Sequence, residues 1–270
     1  MYRFLLSPRW VGLALLTVVL AAVMVQLGNW QLSRYHQRSA INERIDAGER
    51  TAPVPLADAV PRPTAPGAAG PAPARDRQWV PVTVTGRYDS GNEILVRGRT
   101  VNGRVGFEVL TPLVLADGTA VLIDRGWLPA PAGDATAVPQ VPAAPTAEVT
   151  VVGRVHLSES RPGAIARRQG RIEVRRVAVG QIAGQVPYPL HGAYLLLTRQ
   201  SPPADPTFTA VPIRHENDWQ NGGYAVQWWL FAALTLGAYG WLARREAHGD
   251  GTAPPGVDRT GEPAPSPSGA

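Results

Sequence analysis

The sequence contains no lysine and no cysteine; all 26 of its basic residues are arginine. Without lysine there is no Schiff-base amine and no phosphate-loop ammonium. Without cysteine there is no thiol nucleophile, disulfide, thiolate-held zinc or iron–sulfur cluster, and no covalently attached c-type haem. Charge is scarce as well, at 17% of residues against about 25% in an average domain. Catalytic signatures are missing: no GxSxG, no HExxH and no glycine-rich phosphate loop. The histidines at 36, 156, 191, 215 and 248 form no pair at metal-ligand spacing. Asp124 is a lone acid near a strand end and reads as a partner for an arginine or a backbone amide. The composition points away from an enzyme and predicts no bound metal.

Glycine (28) and proline (27) are abundant, about a fifth of 270 residues, and with the low charge they point to membrane or linker sequence. Trp10 to Leu27 holds one amide, Gln26, and no charge. As a helix it would be about 27 Å long, close to the roughly 30 Å of a hydrocarbon core. It exceeds a signal-peptide core and lacks a clean small-residue cleavage site. Tyr224 to Leu242 is a second such run, with Gln227 inside it and aromatic residues at both ends, where interfacial rings are expected. Arg244 and Arg245 follow this run, whereas Glu216 and Asp218 precede it, which sets its C-terminal flank in the cytoplasm. Two spans then leave both termini cytoplasmic and the middle of the chain extracytoplasmic in a cell membrane.

The expected organisation is a membrane α+β protein, in which two transmembrane helices flank an extracytoplasmic antiparallel β-rich domain of barrel or sandwich type. Its parts are a cytoplasmic N-terminus (1–9), a span (10–27), a helical extension (28–50), a Pro/Ala-rich linker (51–77), the β-rich domain (78–213), an outer junction (214–223), a second span (224–242) and a disordered cytoplasmic tail (243–270). Within the β-rich domain, 129–147 is a Pro/Ala-rich loop. Stretches 51–75 and 129–147 are too poor in large apolar side chains to offset ordering and are expected to be extended or disordered. About seven short β-branched segments make the domain: Trp79–Val84, Glu93–Arg97, Gly106–Leu115, Ala120–Trp127, Val149–Val155, Ile172–Val179 and Ala193–Arg199. Asp117-Gly118 marks a hairpin. Gly126 suits a bulge or positive φ, Trp127 a core anchor or a docking surface, and Pro129 the end of a ladder.

Residues 161–176 carry six arginines and one glutamate. They suit lipid phosphates, haem propionates or a solvated strand face; nucleic acid is not expected, because the segment lies outside the cytoplasm and lacks interleaved aromatics. Trp30, Arg34 and Arg38 recur at about one helical turn. Gln31 could meet Gln227 or Asn221 across the two helices, since unpaired amides are costly in lipid.

LGNWQLSR at 27–34, GRY at 86–88, the block from Arg99 to Pro129 and YAVQWW at 224–229 together resemble the Surfeit locus protein 1 family of cytochrome c oxidase biogenesis factors, in its bacterial form. The long block is the most specific, with Gly103, Gly106-Phe107, Thr111-Pro112-Leu113, Asp117-Gly118 and Val121 to Pro129 in order. The resemblance implies a non-enzymatic assembly factor that helps haem a reach the catalytic subunit of a haem-copper oxidase. Its implied partners are that oxidase subunit 1, a haem a synthase and membrane lipid, with haem a as a transient cofactor. A cell-envelope scaffold without a haem role is the alternative. The motif residues carried over are Trp30, Gln31, Arg34, Arg99, Gly106, Pro112, Arg125, Gly126, Trp127, Asn221, Tyr224, Gln227 and Trp228. In haem-binding relatives a histidine stands three positions before the residue matching Tyr224; here that position is Asn221, which is no haem iron ligand. His215 is the nearest substitute for a haem contact. Ile172-Glu173-Val174-Arg175-Arg176 also departs from the aromatic-and-aspartate pattern of the family.

Overall fold

A computed structural model describes residues 3–134, 137–159, 161 and 163–249. The expected tail therefore lies outside the described residues from 250 onward. The chain divides into two compact units, one made from the segments up to Arg38 and from Asn217 on, the other from Ser39–Glu216.

The first unit is a pair of helices. α1 (Pro8–Arg50) runs without a break through the first apolar run and its extension. α4 (Trp219–Gly249) contains the second run. Within this unit, up to Arg38 on α1, their buried positions are small: Thr17, Ala21 and Gly28 on α1, Ala225, Ala232 and Ala243 on α4. Spacings of four, seven and eleven keep these residues on one seam of each helix, and small side chains let two backbones approach. Trp10 packs edge-on against Tyr239, while Gly28 packs on Trp229. Contacts thus pair early α1 with late α4, so the helices are antiparallel. Leu15, Leu16, Val18, Val19 and Val23 point away from the seam and are exposed. Among the described residues α1 is the one helix long and apolar enough to cross a membrane. The second expected span is helical, but Gln227 and its indole and phenol rings lower its hydropathy.

The second unit is a mixed sheet. Its strands are β1 (Val54–Pro55), β2 (Pro81–Tyr88), β3 (Ile94–Val101), β4 (Arg104–Val114), β5 (Ala120–Pro129), β6 (Val149–Leu157), β7 (Ala166–Arg168), β8 (Arg171–Val174) and β9 (Leu190–Ser201), with short helices α2 (Leu56–Ala59) and α3 (Val179–Ala183). The order is β1-β2-β6-β9-β5-β4-β3-β8-β7, and β2 also pairs with β4 through Arg87–Val114 and Tyr88–Leu113. That extra pairing closes β2, β6, β9, β5 and β4 into a ring. β3, β8 and β7 extend from the other half of β4. Val82, Val84, Leu113, Val121, Ile123, Val151, Val155 and Leu195 fill one core cluster of the unit.

Three expectations are corrected. The sheet is not purely antiparallel: β1–β2, β3–β8 and β5–β9 are parallel. The long stretch between β5 and β9 brings the chain back to the same end, as a parallel pair requires. The segment expected as a strand from Ile172 to Val179 instead forms β8 and then enters α3. The Pro/Ala-rich stretches are packed. In 51–75, β1 adds to β2, and Leu56, Ala59 and Val60 are buried in the core. His191 Nδ1 lies 3.0 Å from the carbonyl of Pro61, and Arg62 pairs with Asp117 at 2.8 Å. In 129–147, Ala144 is buried, while Val138 and Val141 cover Phe107 and Leu128; 135–136 lie outside the described residues. A few apolar side chains at fixed contact points suffice where prolines already limit the unfolded chain.

Candidate functional site

The block from Arg99 to Pro129 is organised by one extra residue. In β4–β5, Val109 pairs with Gly126 and Leu110 with Asp124, so Arg125 is the bulged residue. Gly126 follows at φ 134°, a conformation open to glycine, and a Cβ there would meet the Thr209 carbonyl at 2.9 Å. The bulge turns Arg125 inward, where it is 5% exposed. Its Nη1 lies 3.3 Å from Glu93 Oε2, its Nη2 donates to the carbonyl of Ala143 at 3.1 Å, and its guanidinium stacks over Phe208 and Tyr88 at 4.7 and 5.6 Å. Burial holds the Arg125 pKa below its ordinary value against the pull of Glu93. Glu93 is shared: Arg171 Nε reaches its other oxygen at 2.7 Å, and Thr111 donates at 3.4 Å.

Asp124, the other side of the bulge, is 2% exposed. Oδ1 accepts the Gly126 amide at 3.1 Å, and Oδ2 has no partner among the described residues. Burial first, and then nearby Glu108, push its pKa well above the carboxylate range. Trp127 resolves the choice left by its sequence. It is buried, with Nε1 donating to the Arg99 carbonyl at 3.0 Å and its ring against Gly106, where a Cβ would come within 2.6 Å. Arg99, Gly106 and Trp127 therefore form one cluster. Pro112 is buried in β4, its carbonyl accepting the Asp89 amide at 2.9 Å.

Arg99 carries a second network. Its Nε lies 2.9 Å from Glu108 Oε2, and Nη2 donates to Glu159, which also faces Arg176 at 3.7 Å. Burial opposes the charge on Arg99, but Glu108 and Glu159 outweigh it and hold its pKa above the ordinary value. Burial raises the pKa of Glu108, with Arg99 opposing. Glu173, also buried, takes Arg97 at 3.1 Å and Arg168 at 3.5 Å. The arginine-rich segment thus lies at the surface but reaches inward: half-buried Arg171 and exposed Arg168 serve buried acids, while Arg161, Arg167 and Arg175 are exposed.

In the helical unit, Asn221 Nδ2 donates to Gln31 Oε1 at 2.7 Å. Of the two expected pairings for Gln31 this is the one formed; Gln227 is exposed. Trp30 is 53% exposed with Arg34 over its ring at 5.7 Å, Tyr224 is exposed, and Trp228 sits edge-on to Phe231. Arg38 donates to the Asn217 carbonyl at 2.8 Å. In the other unit His215 is exposed, its Nε2 2.8 Å from Asp46 Oδ1.

The sequence profile of the SURF1 family matches residues 18–233. The chain belongs to the SURF1 family. A SURF1-like protein of Mycobacterium tuberculosis, Rv2235, is 32% identical over 269 residues, 96% of this chain and 94% of that one. Surfeit locus protein 1 of Xenopus tropicalis is 24% identical over 162 residues (54% and 48%), and the cytochrome oxidase assembly protein SHY1 of Saccharomyces cerevisiae is 29% identical over 103 residues (38% and 24%). Within this SURF1 chain the junction does not fit an axial haem ligand. Position 221 offers a carboxamide, already bonded to Gln31, and no imidazole.

Several of the residues that organise the site escaped the sequence reading: Glu93, Glu108, Glu159, Glu173, Tyr88, His156, Tyr194 and Phe208. A signal was present. Phe107-Glu108-Val109 and Ile172-Glu173-Val174 each set one acid between apolar residues in a strand, which marks a charge turned inward and in need of an arginine.

Proposed function

We propose that this SURF1-family chain is a membrane-anchored, non-enzymatic assembly factor for a haem-copper cytochrome c oxidase. The observation that carries the reading is the family match across residues 18–233, which takes in the whole sheet, α1 from residue 18 and α4 up to residue 233, together with the oxidase-assembly role in the name of the yeast relative. The paired helices supply the anchor. α4 is the second span, held to α1 by its alanine seam, and both termini are cytoplasmic, with the β unit extracytoplasmic in the cell membrane. The oxidase subunit 1 and a haem a synthase are the partners, and lipid covers the exposed leucines and valines of α1.

In this reading the chain assists haem a delivery by holding partners together, not by ligating iron. Asn221 ties the helices through Gln31. His215 is committed to Asp46 through Nε2, and any haem contact it makes is peripheral. The buried arginine–glutamate networks keep the bulge and its loops fixed, presenting a rigid surface.

Deletion of the gene tests the reading. The expected result is loss of haem a absorbance and oxidase activity from membranes, with b-type haem unchanged and restoration by the wild-type gene. Normal oxidase in the deletion strain would sink it and leave the envelope scaffold.

A further inference from the structure

The assembly role proposed above assigns no part to the cavity beside Arg99. Its volume is about 160 Å³, and Trp79, Arg99, Glu108, His156, Glu159 and Tyr194 line it, together with residues 211–214. That volume is on the scale of a cavity that holds a benzene-sized molecule. Trp79 sits at φ 74°, a left-handed conformation that strains a bulky side chain and that clusters at functional sites. Its indole meets His156 edge-on at 4.9 Å, and His156 stacks on Tyr194 at 4.7 Å.

Three groups on these walls keep a free acceptor. His156 Nδ1 lies 3.0 Å from the Leu157 carbonyl, and burial lowers the ring's pKa, so the neutral imidazole donates there and keeps a lone pair on Nε2. Glu108 spends Oε2 on Arg99 and retains Oε1. Tyr194 Oη makes no hydrogen bond among the described residues, and burial holds it neutral. Arg99, by contrast, is committed to Glu108 and Glu159. Two acids thus face one half-buried guanidinium. Arg176 and Arg214 are exposed, so water screens their charge.

We infer that this cavity binds a primary ammonium group, its three N–H donors directed to His156 Nε2, Glu108 Oε1 and Tyr194 Oη. An incoming carboxylate would face Glu108 and Glu159, whereas an ammonium neutralises their surplus. The chain has no lysine side chain to fill the cavity itself. The group comes from a free small amine or from a lysine of a partner protein.

Calorimetric titration of the full-length chain in non-ionic detergent tests this, with methylammonium, Nα-acetyl-lysinamide, tetramethylammonium and acetate as probes. Saturable binding of methylammonium identifies a free amine, and markedly tighter binding of the capped lysine identifies a protein side chain. Glu108→Gln should weaken either by about tenfold or more, the loss of one charged hydrogen bond. Tyr194→Phe removes a single oxygen, should weaken binding severalfold, and keeps the test valid if Glu108→Gln fails to fold. Failure of both amines to bind, equal binding of tetramethylammonium, binding of acetate, or indifference to Tyr194→Phe overturns the proposal.

Discussion

The two units solve the placing of polar groups in opposite ways. Along the helix pair the seam is Thr17, Ala21, Gly28, Ala225 and Ala232, and the main polar side-chain bond across it joins Asn221 to Gln31. The sheet unit instead buries Glu93, Glu108, Asp124, Arg125 and Glu173 and gives all but Asp124 an ion partner: Glu93 pairs with Arg125, Glu108 with Arg99 and Glu173 with Arg97. Close approach of backbones supports the first, so each polar contact contributes little. Mutual neutralisation supports the second, so the loss of one member strands a charge away from water. Sensitivity to single substitutions should therefore differ sharply between the units.

The largest effect expected is at Glu93. Glu93→Ala removes the partner of buried Arg125 and of Arg171 together. Breaking a buried pair by removing one partner costs about 3–5 kcal/mol. For a unit of this size that lowers Tm by about 10 °C or more. Differential scanning fluorimetry of the detergent-solubilised chain reads this, and a shift no larger than that of a helix-seam polar variant would break the comparison.

Asp124 gives a smaller and pH-dependent effect. Its folded pKa is raised, so the folded chain retains a proton that the unfolded chain releases above the ordinary carboxylate range. The stability contributed by the neutral acid is complete at low pH and is lost as pH rises through the folded value. Asp124→Asn keeps the acceptor for the Gly126 amide and removes the titration. Between pH 4 and pH 8 the variant should lose less Tm than the wild type, by about 2–4 °C, the response of such a unit to roughly 1 kcal/mol. Parallel Tm profiles would show that the buried acid is not titrating.

The same contrast explains what could be read from the sequence. The helices were legible because a long apolar run is a property of a window, and α1 needed no tertiary information. The bulge was legible because Arg125-Gly126 followed by a tryptophan leaves a local trace. The pairing partners were not. Glu93 meets Arg125 and Arg171 only because β3 lies between β4 and β8, which no window contains. The stretch 51–75 failed for a related reason: its few apolar residues, Leu56 and Val60 among them, are stabilised by a core built from β2, β6 and β9, so local composition understated their burial. At the junction, local reading found the amides and left open which two meet.

The smallest effect expected is at that pair. Asn221 and Gln31 are joined by one hydrogen bond of 2.7 Å, and Asn221 Oδ1 has no partner among the described residues. In lipid, polar contacts between helices average about 0.6 kcal/mol, because the separated helices also find partners for their amides. A double-mutant cycle with Asn221→Ala, Gln31→Ala and both together should return a coupling of about that size, measured as the change in association of the two helices in bilayers. A coupling above about 2 kcal/mol would mean that the amides, not the alanine and glycine seam, hold the helices together. The helical unit would then depend on a buried polar pair as the sheet unit does, and the difference between the two would collapse to a difference of charge.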